Sequence, residues 1–149
     1  MLRVCSSGGL QTDRYDIIAT PVWATSERAR IIDFSASLYY SPVCACAKAG
    51  NKKFSSDLRK ADFTFTEPAD AAIFMKNNPG AVERVGAPVR VFPNCWIFRR
   101  NQVEFKNMLD TALTQLINSG GVERILAKYE PSPNTLYRVS LPYQRRNPM

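Results

Sequence analysis

Arg28 is the side chain in this sequence whose type and setting point most directly to chemistry. It stands three residues after Thr25, in Trp23-Ala-Thr25-Ser-Glu27-Arg28, and five before Asp33-Phe34-Ser35. Thr25 is a good helix N-cap, and Glu27 in the first turn suits the positive end of a helix. Arg28 then projects from a short, rigid segment. Its planar fork of donors can meet a carboxylate through two parallel hydrogen bonds. The same fork could equally be used in a surface ion pair with Asp33 or Glu27, and the spacing alone leaves both readings open.

Other chemistries are excluded by composition. The 149 residues include no histidine, which removes His-based triads and His-containing zinc sites. Of the four cysteines, Cys44 and Cys46 flank a single alanine and share one face of an expected strand, where neighbours are poorly placed to bridge each other. All four, Cys5 and Cys95 included, read as small buried hydrophobes. No metal or cofactor is expected. The net charge of +7 raises the question of nucleic acid, yet the basic residues are scattered and cluster only at Lys52-Lys53, Arg99-Arg100 and Arg145-Arg146. No recognition-helix, zinc-spacing or aromatic RNA-binding pattern accompanies them, so a solvated basic surface is expected and no nucleic-acid partner. With 45% hydrophobic and 22% charged residues, the chain is expected to fold as a soluble globular protein rather than to be disordered. No apolar run reaches the roughly 20 residues of a membrane span, and no secretory signal is evident at the N-terminus.

The elements that must position Arg28 follow from pattern. Tyr15–Ala19 reads as a buried strand, and Leu38–Lys48 as a long apolar strand with Pro42 as a kink or edge position. Ala49–Lys53 is a turn and Phe54–Leu58 a short helical turn. Ala61–Glu67 alternates aromatic and polar residues as a strand does. Pro68 then opens a helix over Ala69–Asn77, stopped by Asn78-Pro79-Gly80. Val89–Phe98 is another strand, broken by Pro93. From Gln102 to Asn118 the residues Val103, Met108, Leu109, Ala112, Leu113, Leu116 and Ile117 fall at helical spacing. Gly120-Gly121 ends that helix, Val122–Tyr129 forms a second, and the tail is loop with a short strand near Tyr137–Ser140. The class is α/β.

Arg14–Ser35, continued by Leu38-Tyr-Tyr-Ser41, resembles the core of the first lobe of the family 3 extracellular solute-binding proteins, the capture proteins of polar amino acid ABC importers. Lys60-Ala-Asp62-Phe-Thr-Phe-Thr-Glu67 is similar to that family's second-lobe strand, and Leu116-Ile-Asn-Ser-Gly120 with Ile125-Leu-Ala-Lys-Tyr129 to its closing helices. The resemblance implies a type II periplasmic-binding-protein-like fold of two small lobes joined by two hinge strands, Leu38–Lys48 and Val91–Arg99. Residues 1–43 and 96–149 would form lobe 1, and 44–95 a shortened lobe 2. Cys44 or Cys46 would then neighbour Cys95, which leaves a disulfide there as a minor alternative.

The resemblance also implies a ligand set. Arg28 would grip a carboxylate, with Thr25 beside it, and Glu67 would hold an α-ammonium group from the other lobe. Trp23 replaces the family's usual Ser or Thr, and either forms an aromatic wall or fills the core. The expected function is solute binding for an ABC-type amino acid importer, in the periplasm or outside the cell, with a transporter permease as partner and without enzyme activity. Two other readings compete with it. One is a ligand-free remnant acting as a structural or partner-binding module. The other, remote, is a cleft lyase or dehydratase with Glu67 as general acid. The family's opening strand and helix, and much of the second lobe's first half, have no counterpart here. Incompleteness of this kind implies too few partners for Leu109, Leu113, Leu116 and Ile117, self-association or instability of the chain, and weak or no binding.

Overall fold

The computed structural model describes residues 7–50 and 63–139. They form β1 (Ile17–Trp23), β2 (Asp33–Phe34), β3 (Tyr39–Lys48), β4 (Phe63–Thr66), β5 (Val82–Phe98) and β6 (Tyr137–Arg138), with α1 (Ser7–Gln11), α2 (Pro68–Asn77), α3 (Val103–Asn118) and α4 (Gly121–Tyr129). A single 3-10 turn, Arg28–Arg30, lies between β1 and β2. Contacts divide the chain into two compact units: Met1–Tyr40, Pro93–Ile125 and Arg138–Met149 in one, Ser41–Phe92 and Leu126–Tyr137 in the other.

The first unit is built around the end of β5. β1 runs antiparallel to it, with Ile17 opposite Phe98 and Trp23 opposite Asn94. β2 also pairs antiparallel with β5, Asp33 opposite Phe98. β1 and β2 therefore point the same way, and the segment between them must travel back along β5. Ile32 at the end of that segment is buried with Leu10 of α1 and Ile97 of β5, with Ile18, Val22 and Phe34 packed around them. The expected strand at 15–19 lies further along, at 17–23. The register shifts between Ile18 and Val22, which brackets Pro21. A residue without an N–H is tolerated at such an irregularity. Arg99, just past β5, pairs with Asp13 at 2.5 Å and with Asp16, tying the α1–β1 loop to this sheet.

α3 closes this unit. Phe105 meets Phe98 edge to face with ring centroids 5.4 Å apart. Leu113 and Ile117 are buried, while Leu116, expected inward, is 40% exposed and Met108 62%. The buried stripe steps by four residues from Phe105 through Leu109 and Leu113 to Ile117, and Leu116 falls one position off it. Most of the apolar face that was expected to lack partners therefore has them. Gly120, buried and with φ of 75°, ends α3 in the left-handed conformation that lets the chain turn straight into α4.

In the second unit β3 and β4 pair antiparallel, Cys44 opposite Thr66 and Cys46 opposite Thr64. Cys44, Ala45, Cys46 and Ala47 are all buried, so this strand packs on both faces. α2 begins with Pro68 at its first position and is capped past Asn77 by Asn78, whose N–H donates to the Phe74 carbonyl at 2.9 Å. β5 starts at Val82, seven residues before the expected strand, because Gly86 (φ 70°) and Pro88 interrupt its sequence pattern without ending it. The helical turn expected at 54–58 and Cys5 lie outside the described residues. Cys44, Cys46 and Cys95 are free and buried, as small hydrophobes. Burial lifts the Cys46 thiol, with the neighbouring Cys44 adding to it, and burial lifts that of Cys95 against a Ser37 hydrogen bond. Among the described residues, no helix is long and apolar enough to cross a membrane, and no His, Cys, Asp and Glu cluster could hold a metal ion.

Candidate functional site

The segment leaving β1 makes one tight turn before it doubles back. Ala24 donates its N–H to the Pro93 carbonyl at 3.0 Å, which fixes where the turn begins. Thr25 then acts twice. Its carbonyl accepts the Ala29 N–H at 3.0 Å, and its Oγ1 accepts the Arg28 N–H at 3.4 Å. The hydroxyl thus braces the first residue of the turn without being its N-cap. That position is Glu27, which makes no side-chain cap, and the helix is a three-residue 3-10 turn rather than an α-helix.

Arg28 emerges from this turn half-buried, and one guanidinium nitrogen, Nη1, donates to the Trp23 carbonyl at 2.8 Å. That bond anchors one prong of the fork. The described residues include no carboxylate paired with Arg28. The Asp33 carboxylate instead accepts the N–H of Asn101 at 2.9 Å. The alternative of an Arg28–Asp33 or Arg28–Glu27 ion pair is not adopted. Trp23 serves Arg28 through its backbone carbonyl, which any residue would supply; its half-buried ring is a separate matter.

The structure therefore brings Trp23, Thr25 and Arg28 together in one turn of the first unit. Glu67 belongs to the second unit. It stands immediately before α2 in extended backbone (φ −73°, ψ 141°) and makes no side-chain cap to the helix. Burial pushes that carboxyl above the ordinary glutamate range, a hydrogen bond with Ser41 opposes the rise, and the nearby Asp70 charge adds to it. Ser41 was not singled out from sequence; buried in β3 beside Pro42, it carried no signal beyond being polar in an apolar run. A hollow of about 620 Å3 lies beside α2 in the same unit, lined by residues that include Ala72, Ile73, Met75, Lys76 and Pro131. Neither Arg28 nor Glu67 contributes to it.

The pattern of bacterial extracellular solute-binding proteins, family 3, matches residues 7–132. No curated protein matches the sequence. Among solved structures, a putative ABC-transporter binding component from Wolinella succinogenes complexed with lysine is similar at 16% identity with TM-score 0.71, over 85% of this chain and 75% of that one. The arginine-, lysine-, histidine-binding protein ArtJ from Geobacillus stearothermophilus is similar at 22% identity with TM-score 0.65, over 85% and 74%. The GluR0 ligand-binding core from Nostoc punctiforme, in complex with L-glutamate, is similar at 16% identity with TM-score 0.67, over 84% and 77%. At these identities the likeness establishes the fold, which is the type II periplasmic-binding-protein fold.

Proposed function

The chain belongs to the bacterial extracellular solute-binding proteins of family 3, and from that premise we propose that it binds a small amino acid or related carboxylate for an ABC-type importer. Arg28 takes the carboxylate and Glu67 the ammonium group. One observation carries this reading: Arg28 is held in place by neutral backbone, the Trp23 carbonyl, and has no anionic partner among the described residues. A half-buried guanidinium without a counter-ion is a site for an anion. Its planar fork selects a carboxylate over a spherical ion.

Glu67 supports the other half. A desolvated carboxylate is relieved by an incoming ammonium group, and the ion pair that forms offsets the cost of burying it. Thr25 serves the site by fixing the Arg28 backbone, and Trp23 by its carbonyl. The family and fold are those of binding proteins, so we assign a binding role rather than catalysis. The location is the periplasm or the outside of the cell, with a transporter permease as the downstream partner, in keeping with the family's setting. Proteins of similar fold are described with lysine, with L-glutamate and with arginine, lysine and histidine as ligands, so the first panel should contain both basic and acidic amino acids. Isothermal calorimetry across that panel tests the reading. Binding by the wild type that is lost in Arg28→Ala supports it, whereas binding that survives Arg28→Ala assigns the ligand elsewhere.

A further inference from the structure

We infer that Arg100, a residue outside the candidate site, is a positioning residue for Arg28, acting with its neighbour Asn101 on the turn that carries it. The inference rests on the reading of Arg28 as the carboxylate-binding group. The crossing segment from Ala24 to Ile32 runs back along β5, from the Pro93 end to the Phe98 end, and is fastened at both. At its start the Ala24 N–H donates to the Pro93 carbonyl. At its far end Arg100 donates from Nη1 to the Arg30 carbonyl at 2.6 Å. Both fastenings come from β5 or the residues that continue it.

The chemistry of a three-residue 3-10 turn explains why the far end accepts a fastening. The Arg28 carbonyl accepts the N–H groups of Ile31 at 3.0 Å and Ile32 at 3.1 Å. Arg30 is the last residue of the turn, so its own carbonyl has no donor within it and is open to water or to a side chain from outside; here, on the exposed surface, that side chain is Arg100. A guanidinium supplies a charge-assisted bond there, stronger than a neutral donor would. Asn101 adds a second tether two residues beyond Ile31. Its φ of 64° is the left-handed conformation that asparagine tolerates better than most residues. That conformation accompanies the bond from its N–H to the Asp33 carboxylate at 2.9 Å.

Arg28 is thus held at the tip of its side chain by the Trp23 carbonyl, and the turn that carries it is tethered two residues on, at the Arg30 carbonyl, by Arg100 and, at the Asp33 side chain, by Asn101. A bidentate pair with a carboxylate depends on the direction of the fork, so loosening the backbone loosens the ligand even though Arg100 touches no ligand atom.

Two readouts test this together: amide hydrogen exchange at Ile31 and Ile32 in the ligand-free protein, and calorimetric affinity for whichever of L-lysine, L-arginine, L-glutamate and glycine the wild type retains. Arg100→Ala is expected to speed exchange at both amides by about tenfold and to weaken binding about three- to tenfold. Arg100→Lys should restore most of both, because an ammonium reaches the same carbonyl. Arg124→Ala is the control: it removes an exposed arginine-to-carbonyl bond, to Ser119 at 3.2 Å, elsewhere in the same unit, and should change neither readout. Unchanged exchange in Arg100→Ala overturns the inference whether or not any amino acid binds. Faster exchange with undiminished affinity overturns it as well, since Arg28 would then not depend on the tether. A wild type that binds nothing in the panel defeats the functional reading, while the exchange data still decide the tether.

Discussion

The Asp110 carboxylate accepts the backbone N–H of Ala36 at 2.6 Å, reaching across 74 residues of sequence. Its second oxygen pairs with Lys106 one helical turn earlier at 2.6 Å, and Lys106 donates in turn to the Phe34 carbonyl at 2.8 Å. Two side chains on α3 thus grip Phe34 at the end of β2 and Ala36 just after it. Asp110→Ala removes the acceptor for a part-buried amide and leaves Lys106 without its partner. The expected cost is about 1–3 kcal/mol in urea unfolding. A change under about 0.5 kcal/mol would show that water replaces the carboxylate freely.

Arg28→Lys tests the geometry of the fork rather than its charge. A lysine keeps the cation but cannot make two parallel bonds to one carboxylate. Amino acid binding is expected to weaken by about 1–3 kcal/mol with little change in melting temperature. Equal affinity in calorimetry would mean that Arg28 acts only as a point charge or not at all.

Glu67 gives a pH dependence whose sign is fixed by burial. Its carboxyl titrates above the ordinary range in the folded protein, so folding favours the protonated form. That contribution is complete below the unfolded value and is lost as pH rises through the folded one. At neutral pH the ionised group therefore works against stability, and Glu67→Gln should unfold at higher urea than wild type, with the gap closing toward about pH 4. Affinity for an amino acid moves the other way. The ammonium needs the ionised carboxylate, so acidification through the raised pKa should weaken wild-type binding, and Glu67→Gln should bind more weakly at neutral pH. A glutamine variant that binds as well as wild type at neutral pH would remove Glu67 from the site.

Gly120 offers a purely backbone test. At φ of 75° and buried between α3 and α4, it occupies a conformation that costs an L-residue about 1–2 kcal/mol. Gly120→Ala should lower stability by that amount or more, measured by thermal unfolding. Gly50 shares the conformation (φ 74°) but has open space around it, so Gly50→Ala should cost only the backbone part.

How far the sequence could be read depends on which forces act locally. α2 and α3 were legible because proline, glycine and the step-of-four apolar spacing are written in neighbouring residues. The first half of β5 was not, since Gly86 and Pro88 look like a stop and only pairing with the rest of the sheet carries the strand through them. α1 was missed for a related reason: a five-residue helix starting Ser-Gly-Gly has poor propensity and is held by burial of Leu10 against Ile32 and Ile97. At the site, Thr25 and Arg28 declared themselves through capping preference and charge. Arg100 could not, because its partner lies 70 residues away and is a backbone carbonyl, which every residue possesses.

β5 is made after β1 and β2, and it is also the strand they both join, with β1 on one side and β2 paired to the same stretch. A chain that emerges N-terminus first presents β1, the Arg28 turn and β2 well before Asn94–Phe98 are there to receive them. Those early segments have no ladder to join until about sixty more residues have been added, while β3 and β4 of the second unit can already pair as soon as they emerge. The β3–β4 pairing can therefore form before the first unit's ladder, although the second unit is completed only by Leu126–Tyr137. The Arg28 turn spends the interval exposed, available to chaperones and to premature pairing with other chains.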